Sequence, residues 1–446
     1  MTELLDVATT VTGWAVPGEE VEAFVARSRT TSVRAYNGAV ESLSSAESAG
    51  IGIRVIVDGR QGFAHAGSLD EAVLKETLEE ARDNAAFGEP DEHAGLARPD
   101  GVAGPVLDLV RDELRSFPAQ AKVDLALELE RAAQARDPRV QGVRVATFSD
   151  SYGENAVATT TGIAAYDESG VCYVAVQPLV EADGDTQMGS GISAGRAPSE
   201  LDLDEATADG VDRAVRLLGA TQPASRHLTV VLDPDVTAEL LSIIGGALSG
   251  EAVLKGRSLF ANREEQDVAA TVVNLVSDAT DPGAFGAARY DGEGLARRRV
   301  ELVDAGKLRG YLYDTYSARR AGRASTGSAA RSYATTPGVG AAAMTLRAGT
   351  KSQAELLADV GDGVYIQDVS GLHSGVNPVS GDFSVGATGL MITGGVLGAP
   401  FREATIASTI QRMLLDVVAV GSDLKWLPSG PAGVSLVIRD VSLSGS

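Results

Sequence analysis

Glycine recurs every few residues between Gly371 and Gly398, and this spacing limits what the C-terminal part of the chain can fold into. Glycine suits tight strand connections because it adopts positive φ angles without steric cost. After Gly398, apolar residues three or four positions apart predict a helix from Arg402 to Gly421. These residues are Ile406, Ile410, Met413, Leu414 and Val417. We therefore expect a bent, barrel-like β unit that is packed by helices.

The first half of the chain combines strand and helix patterns. Leu4, Leu5, Val21 and Phe24 are apolar anchors of a predicted helical opening. Alternating and β-branched runs predict strands, with a hairpin turn at Asp58-Gly59. Helices are predicted at residues 1–30, 68–87, 118–136 and 199–218, and strands at 32–66 and 140–195. A mixed sheet with flanking helices follows from this order, and the fold class is α+β.

A linker divides the chain into two predicted domains. At 446 residues the chain is long for one hydrophobic core. The segment 219–226 has linker composition, so we place an N-terminal α+β domain at 1–222 and a C-terminal β-rich domain at 226–446. The second domain opens with a strand at His227. Asp233-Pro234-Asp235 then predicts a helix start, with Asp233 as the N-cap.

Composition excludes several classes of function. The chain has 38 Lys and Arg residues against 61 Asp and Glu residues, a net charge of −23. Binding to DNA or to an anionic membrane needs a basic surface, so neither is expected. The single cysteine, Cys172, lies in an apolar run and is predicted to be a structural core residue. No basic, apolar leader and no membrane-spanning stretch is visible, which favours a cytoplasmic location.

Several phrases of the sequence carry a family resemblance. They are SGVNPVSGDFSVGATGLMI (374–392), EATIAST (403–409) and VGSDLKW (420–426), supported by the segments 41–67 and 290–320. In these phrases the chain resembles the TldD/PmbA family, also known by the older name "modulator of DNA gyrase". The family contains a metallopeptidase subunit, TldD, and its metal-free partner, PmbA or TldE. The resemblance implies a dimer that encloses a cavity.

The resemblance also implies where a metal would be bound. In the peptidase member, the helix after Pro234 carries a His-Glu-x-x-x-His sequence, which suits a zinc ion and a general base. This chain has Ser242, Ile243 and Ala247 at the matching positions. The family's third ligand, a cysteine, matches a position near Ser429 or Gly430, where no cysteine is found. The resemblance therefore implies that this chain binds no metal or other cofactor, and zinc is expected on a TldD-like partner.

Other catalytic arrangements have weaker support. His373-Ser374 lies near Asp382, but no nucleophile-elbow motif accompanies this Ser/His/Asp set. His373 and Asn377 could instead fix turns or contact a peptide. An arginine cluster between Arg297 and Arg331 is either a solvated face or a surface that grips peptide carboxylates and carbonyls. The substrate-groove candidates are Tyr316, Arg319, Arg320, Arg331, His373, Asn377 and Asp382.

The leading functional hypothesis is a subunit that is not catalytic by itself. The resemblance implies pairing with a TldD-like metallopeptidase, which cleaves flexible peptides such as unfolded proteins or leader segments. The alternative is a stand-alone homodimeric hydrolase of a peptide or natural-product pathway. A DNA-binding or gyrase-binding regulator is disfavoured by the negative charge.

Overall fold

The computed structural model describes residues 3–428 and 430–445, and helices and strands occur in both halves. The helices are α1 (Glu3–Thr12), α2 (Glu71–Phe87), α3 (Asp112–Arg115), α4 (Ala119–Arg136), α5 (Leu203–Val215), α6 (Pro234–Ala247), α7 (Gly250–Leu254), α8 (Thr315–Arg320), α9 (Gln353–Val360), α10 (Leu372–Gly375) and α11 (Ile410–Leu415). The strands are β1 (Glu20–Tyr36), β2 (Ala39–Val57), β3 (Arg60–Ala66), β4 (Val140–Thr159), β5 (Ala164–Ala182), β6 (Asp185–Met188), β7 (Gly191–Gly195), β8 (Arg226–Leu232), β9 (Leu275–Asp278), β10 (Arg299–Asp304), β11 (Lys307–Leu308), β12 (Ala329–Ala330), β13 (Gly338–Val339), β14 (Met344–Leu346), β15 (Gly363–Ser370), β16 (Asp382–Thr393), β17 (Val396–Thr409), β18 (Val417–Val420), β19 (Lys425–Trp426), β20 (Ala432–Gly433) and β21 (Leu436–Ser444). The predicted α+β class is confirmed.

The N-terminal half is a curled sheet built from unusually long strands. Its order is β3-β2-β1-β4-β5, and β6 and β7 both pair with β5. These pairings are antiparallel throughout the described residues, whereas a mixed sheet was predicted. Strand β1 contributes to two cores. One core forms under α1 and α2, and the other forms under α4 and α5.

The C-terminal half contains a closed β-barrel, as the glycine spacing predicted. Strands β17, β16, β15, β8 and β21 follow one another, and pairing of β17 with β21 closes the ring. Strands β8 and β15 are parallel, and the other barrel pairs are antiparallel. Helix α6 packs Leu240, Leu241 and Ile244 into the core of this half. None of the described helices is long and apolar enough to cross a membrane.

The prediction of a helix from Arg402 to Gly421 is largely wrong. Residues up to Thr409 belong to β17, and only Ile410–Leu415 is helical. The buried residues Ala404 and Ile406 also fit the period of two that is typical of a strand. Pairing with β16 on one side and β21 on the other fixes the extended form. Barrel closure therefore overrides a local pattern that suits both structures.

The N-terminal helix is also shorter than predicted. Helix α1 ends at Thr12, and Val21 and Phe24 lie in β1. Val21 is buried under α1 and α2, while Phe24 belongs to a separate core that includes Leu295 from the C-terminal half. The two residues are apolar because β1 is covered by protein on both sides. The pattern therefore indicated burial correctly but assigned the wrong element.

A buried ion-pair network joins the two halves of the protein. Glu22 of β1 and Arg54 of β2 form an ion pair with an O–N distance of 2.8 Å. Arg54 also lies 3.2 Å from a carboxylate oxygen of Glu293, which belongs to the C-terminal half. Arg331, also from that half, forms an ion pair with Glu22. The side chains of Glu22, Glu293 and Arg331 are 0% exposed, so each charge depends on its partners.

Glu293 gives this network a dependence on pH. Its burial raises its pKa from 4.5 to about 7, against the lowering effect of Arg54 and with help from Asp291 and Glu22. A carboxyl whose pKa is higher in the folded state binds more protons there between these two values. We therefore expect the free energy of unfolding to fall as pH rises from 4.5 to about 7, by up to about 3 kcal/mol. Urea unfolding at pH 5 and pH 8 should show this fall in the unsubstituted protein and a smaller fall in Glu293→Gln. An equal fall in the free energy of unfolding in both proteins would contradict the raised pKa of Glu293.

Candidate functional site

Helix α6 begins at a junction of four elements. The Asp233 side chain accepts a hydrogen bond from the backbone N–H of Asp235 at 2.9 Å, so the predicted N-cap is present. Both carboxylate oxygens of Asp233 accept from Nη2 of Arg213 on α5, each at 2.9 Å. The Tyr365 hydroxyl of β15 donates to the same carboxylate. These contacts fix the start of α6 against β8, α5 and β15.

A cavity of about 690 Å³ lies beside this junction, between the two halves. Strands β5, β6 and β7 and helix α5 line it from the N-terminal half, and α6, β15 and β16 line it from the C-terminal half. Its charged residues are Arg213, Asp235, Glu239 and Asp368. The cavity is therefore acidic, and it opens onto the helix that carries the metal motif in the resembling family.

Three carboxyl groups in the cavity have raised pKa values. Burial raises the pKa of Asp235, and the nearby Asp233 raises it further against the effect of Arg213. Burial likewise raises the pKa of Glu239, with added repulsion from Asp368 and Asp235. Burial is also the main cause of the raised pKa of Asp368. A group that binds protons more readily than usual, in a cleft, is suited to recognition or acid–base chemistry.

The sequence analysis missed these carboxylates, although one signal was available. Asp235 and Glu239 are four residues apart on α6, so they lie on the same side of the helix. That spacing, directly after a recognised helix start, could have indicated an acidic face. Asp368 belongs to β15 and comes near α6 only through the parallel pairing of β8 with β15. No local pattern predicts that approach.

The three positions that match the metal motif do not form a metal site. Ser242 is exposed, Ile243 is partly buried, and Ala247 is 2% exposed and packed in the core. A hydroxyl, an alkyl group and a methyl group do not provide the imidazole or thiolate ligands of zinc. Across residues 3–428 and 430–445, no three His, Cys, Asp or Glu residues are grouped to hold a metal ion. Ser429 lies outside the described residues, and Gly430 offers no side chain. The residues present therefore do not fit a bound zinc ion.

Tyr316, Arg319 and Arg320 belong to the short helix α8. The Tyr316 hydroxyl donates to Asp91 at 2.7 Å, and the Arg320 guanidinium lies 5.7 Å from the centre of the Tyr316 ring. Arg319 donates to the carbonyl of Leu96 at 2.9 Å. Both Asp91 and Leu96 belong to the loop after α2, so α8 attaches this loop to the C-terminal half. Arg320 and Tyr316 are exposed and accessible to a ligand.

Arg331 and most of the arginine cluster make contacts within the chain. The Arg331 side chain is 0% exposed, and its guanidinium lies 4.9 Å from the centre of the Phe24 ring. Arg297 donates to the carbonyls of Gly327 and Ala329, and Arg298 donates to Asp100. Arg299, Arg320 and Arg323 are exposed. Whether the cluster is a solvated face or a surface that grips peptide carboxylates and carbonyls stays a prediction.

His373 and Asn377 lie in the exposed connection between β15 and β16, and Asp382 is the exposed first residue of β16. Asn377 accepts hydrogen bonds from the backbone N–H groups of Val379 and Ser380, so it fixes a turn. Asp382 accepts from the Ser380 hydroxyl at 2.6 Å. Within the described part of the chain, His373 makes no hydrogen bond to Ser374 or Asp382, and no Ser/His/Asp triad is assembled there.

Cys172 is a core residue, as predicted. Its side chain is 0% exposed, and its sulfur lies 3.6 Å from the carbonyl oxygen of Gly195. Burial, with nearby acidic groups, raises the pKa of the thiol to about 12. A thiol that keeps its proton at neutral pH is a poor nucleophile. Cys172 therefore has a packing role.

Comparisons with known proteins match the chain along most of its length. The PmbA/TldA metallopeptidase domain 1 matches residues 21–85, the central domain matches 112–218, and the C-terminal domain matches 225–445. The chain belongs to the PmbA/TldD metallopeptidase family. The limits of these family domains are consistent with a boundary between 218 and 225, and the division into domains at 1–222 and 226–446 stays a prediction.

Relatives named PmbA and relatives named TldD both match this chain. It is 26% identical to the metalloprotease PmbA of Escherichia coli O157:H7 over 96% of this chain and 93% of the relative. It is 27% identical to a metalloprotease TldD homologue of Haemophilus influenzae over 89% of this chain and 87% of the relative. The structure of TldE from Thermococcus kodakarensis has the same fold, with a TM-score of 0.88, 21% identity and 99% coverage of both chains.

Proposed function

We propose that this chain is a metal-free subunit that pairs with a TldD-like metallopeptidase and helps to present flexible peptides to its metal. The observation that carries the proposal is the set Ser242, Ile243 and Ala247 on α6, which offers no zinc ligands at the family's motif positions. Zinc would be held by the partner. Membership of a metallopeptidase family and relatives named metalloprotease support a role in proteolysis. A cytoplasmic location stays a prediction.

The hairpin of β1 and β2 is the surface that we propose for contact with the partner subunit. Residues 36–48 are exposed without interruption, and they include the apolar side chains of Tyr36, Val40 and Leu43, which are 41–50% exposed. In this region β2 pairs with β1 alone, because β3 begins its pairing at Ile51. An exposed strand edge with apolar side chains is suited to pairing with another chain.

Association can be measured by light scattering of this chain with and without a TldD-like subunit. We expect a complex of the two chains, and weaker association for Leu43→Asp. Val106→Asp is the matched control, because Val106 is 101% exposed and belongs to the loop between α2 and α3, not to this hairpin. A mixture that stays as separate chains at micromolar concentrations would contradict the proposed pairing. Equal association of the two variants would contradict only the proposed surface.

The stand-alone hydrolase is a second candidate, favoured by the acidic cavity. Glu239 and Asp368 have raised pKa values and line one opening, and a carboxyl with a raised pKa is a candidate general acid. This candidate requires turnover by the chain alone, as a monomer or a homodimer, in the presence of a metal chelator. The partner-subunit proposal requires that the chain alone shows no turnover.

A further inference from the structure

A second cavity between the two halves is lined by arginine side chains. Its volume is about 440 Å³, and it lies beside α8, between the loop after α2 and the C-terminal half. We call it the arginine cavity, because four of its lining residues are Arg98, Arg298, Arg319 and Arg323. They come from the loop after α2, from the residue before β10, and from α8 and the turn that follows it. The fold, and not one basic run of sequence, therefore concentrates positive charge here in a chain of net charge −23.

Three of the four arginines are balanced by carboxylates, and Arg319 is not. The balanced pairs are Arg98 with Glu20, Arg298 with Asp100 and Arg323 with Glu264. Arg319 forms no ion pair with any described residue, and its Nη2 donates only to the carbonyl of Leu96 at 2.9 Å. Its Nε and Nη1 make no hydrogen bond within the described residues, and neither atom is sequestered from solvent. These N–H groups are therefore open to an acceptor that enters the cavity.

The backbone beside Arg319 is shaped to hold its guanidinium in place. Gly95 has a φ of +154°, and a Cβ added there would lie 1.7 Å from Nη1 of Arg319. Any other residue at this position would displace the guanidinium, so glycine leaves the space that the group occupies. The Leu96 carbonyl fixes its other end, and the Asp314 side chain caps α8 by accepting from the N–H of Ser317 at 2.8 Å. Donors that are fixed before binding lose less entropy when a ligand arrives.

The charge and the walls of the arginine cavity favour a carboxylate over a phosphate. One unbalanced guanidinium matches a single negative charge, and Asp100 in the lining opposes the nearly double charge of a phosphate. The fork of N–H groups on arginine fits the two oxygens of a carboxylate. The lining also includes apolar side chains, namely Ala97, Val102, Leu295 and Ala318. They offer contacts to the alkyl stem of an acidic side chain, which inorganic phosphate lacks.

We propose that the arginine cavity binds the carboxylate of an acidic side chain in a flexible peptide. This inference rests on the proposed function, and it assigns a substrate preference to it. The carboxylate would accept hydrogen bonds from the open N–H groups of Arg319, and the stem would pack on the apolar part of the lining. Peptides with an acidic residue would then be favoured over neutral or basic ones.

The test is direct binding to the isolated chain of labelled peptides that are acetylated and amidated and differ only at one position, which is glutamate, glutamine or lysine. We expect the glutamate peptide to bind about tenfold more tightly than the glutamine peptide, because its hydrogen bonds are charge-assisted. The net charge of −23 repels an acidic peptide at long range, so this preference requires a local site. Arg319→Gln should abolish the preference. Arg347→Gln is the control, because Arg347 is exposed, lies outside the cavity and forms no ion pair with any described residue.

Each outcome decides the proposal. Equal affinity for the glutamate and glutamine peptides would overturn it, as would a preference that Arg319→Gln leaves unchanged or that Arg347→Gln reduces equally. Inorganic phosphate that binds in a manner dependent on Arg319, while the glutamate peptide shows no preference, would assign the cavity to a free oxyanion and overturn the peptide assignment. Binding is measured here without a partner or turnover, whereas failure of the partner-subunit proposal would appear in association and cleavage. The two failures are therefore distinguishable.

Discussion

Replacing Arg54 with methionine should lower the free energy of unfolding by about 3–5 kcal/mol. Arg54 is 3% exposed and is the only described residue that forms ion pairs with both Glu22 and Glu293. Methionine keeps most of the packing volume but leaves Glu293 buried without its cation. An uncompensated buried charge costs far more than the loss of a surface pair. Urea or thermal unfolding measured at pH 8, where Glu293 has lost its proton, should show the effect most clearly.

Two further variants make this prediction specific. Arg309→Met removes an arginine that is 38% exposed and paired with Glu265 and Asp304, and we expect a much smaller loss. Adding Glu293→Gln to Arg54→Met should recover part of the lost stability, because the unpaired carboxylate is removed. Equal losses in Arg54→Met and Arg309→Met would mean that the network does not hold the two halves together.

Replacing Asp233 with alanine should lower the free energy of unfolding by a similar amount, about 3–5 kcal/mol. The substitution removes the N-cap of α6 and both hydrogen bonds from Arg213, and it leaves the Tyr365 hydroxyl without this acceptor. Asp233 is 3% exposed, so water does not readily replace these contacts. We also expect the cavity beside α6 to change shape, because Arg213 would lose Asp233 and keep only Asp209 and Asp235 as partners.

The matched control is Asp209→Ala, which removes another carboxylate from the same arginine. The Asp209 side chain is 36% exposed and lies one turn from Arg213 on α5, so its loss should cost under about 1 kcal/mol. Asp233→Asn keeps an oxygen for the cap and should fall between the two variants. A loss for Asp233→Ala as small as that for Asp209→Ala would contradict the central position given to this carboxylate.

Local chemistry explains which parts of the fold were predictable from the sequence. The Asp233-Pro234 helix start was identified correctly because an N-cap and a first-turn proline act within a few residues. The hairpin turn at Asp58-Gly59 is present, and both residues have positive φ angles as such a turn requires. The Arg402 helix was predicted wrongly because Ile406 and Ile410 suit a helix and a strand alike, and only barrel closure decides between them.

The candidate site was less predictable because long-range contacts create it. Arg331 and Glu22 are 309 positions apart, so nothing near Arg331 in the sequence indicates that it forms a buried ion pair between the two halves. The cavity likewise combines Gln367 and Asp368 with residues of β6 and α5 that lie far away in the chain. The family resemblance pointed to the C-terminal end of α6, where Ser242, Ile243 and Ala247 lie. The acidic residues Asp235 and Glu239 lie nearer the start of the same helix.

The most direct test of the proposed function is peptide cleavage by this chain alone, by a TldD-like subunit alone and by their mixture, each with and without a metal chelator. The assay would use a flexible, unstructured peptide. We predict that the mixture cleaves the peptide faster than either chain alone, that the chelator abolishes this activity, and that this chain alone is inactive. Chelator-resistant cleavage by this chain alone would contradict the assignment as a metal-free partner subunit and identify it as an enzyme in its own right.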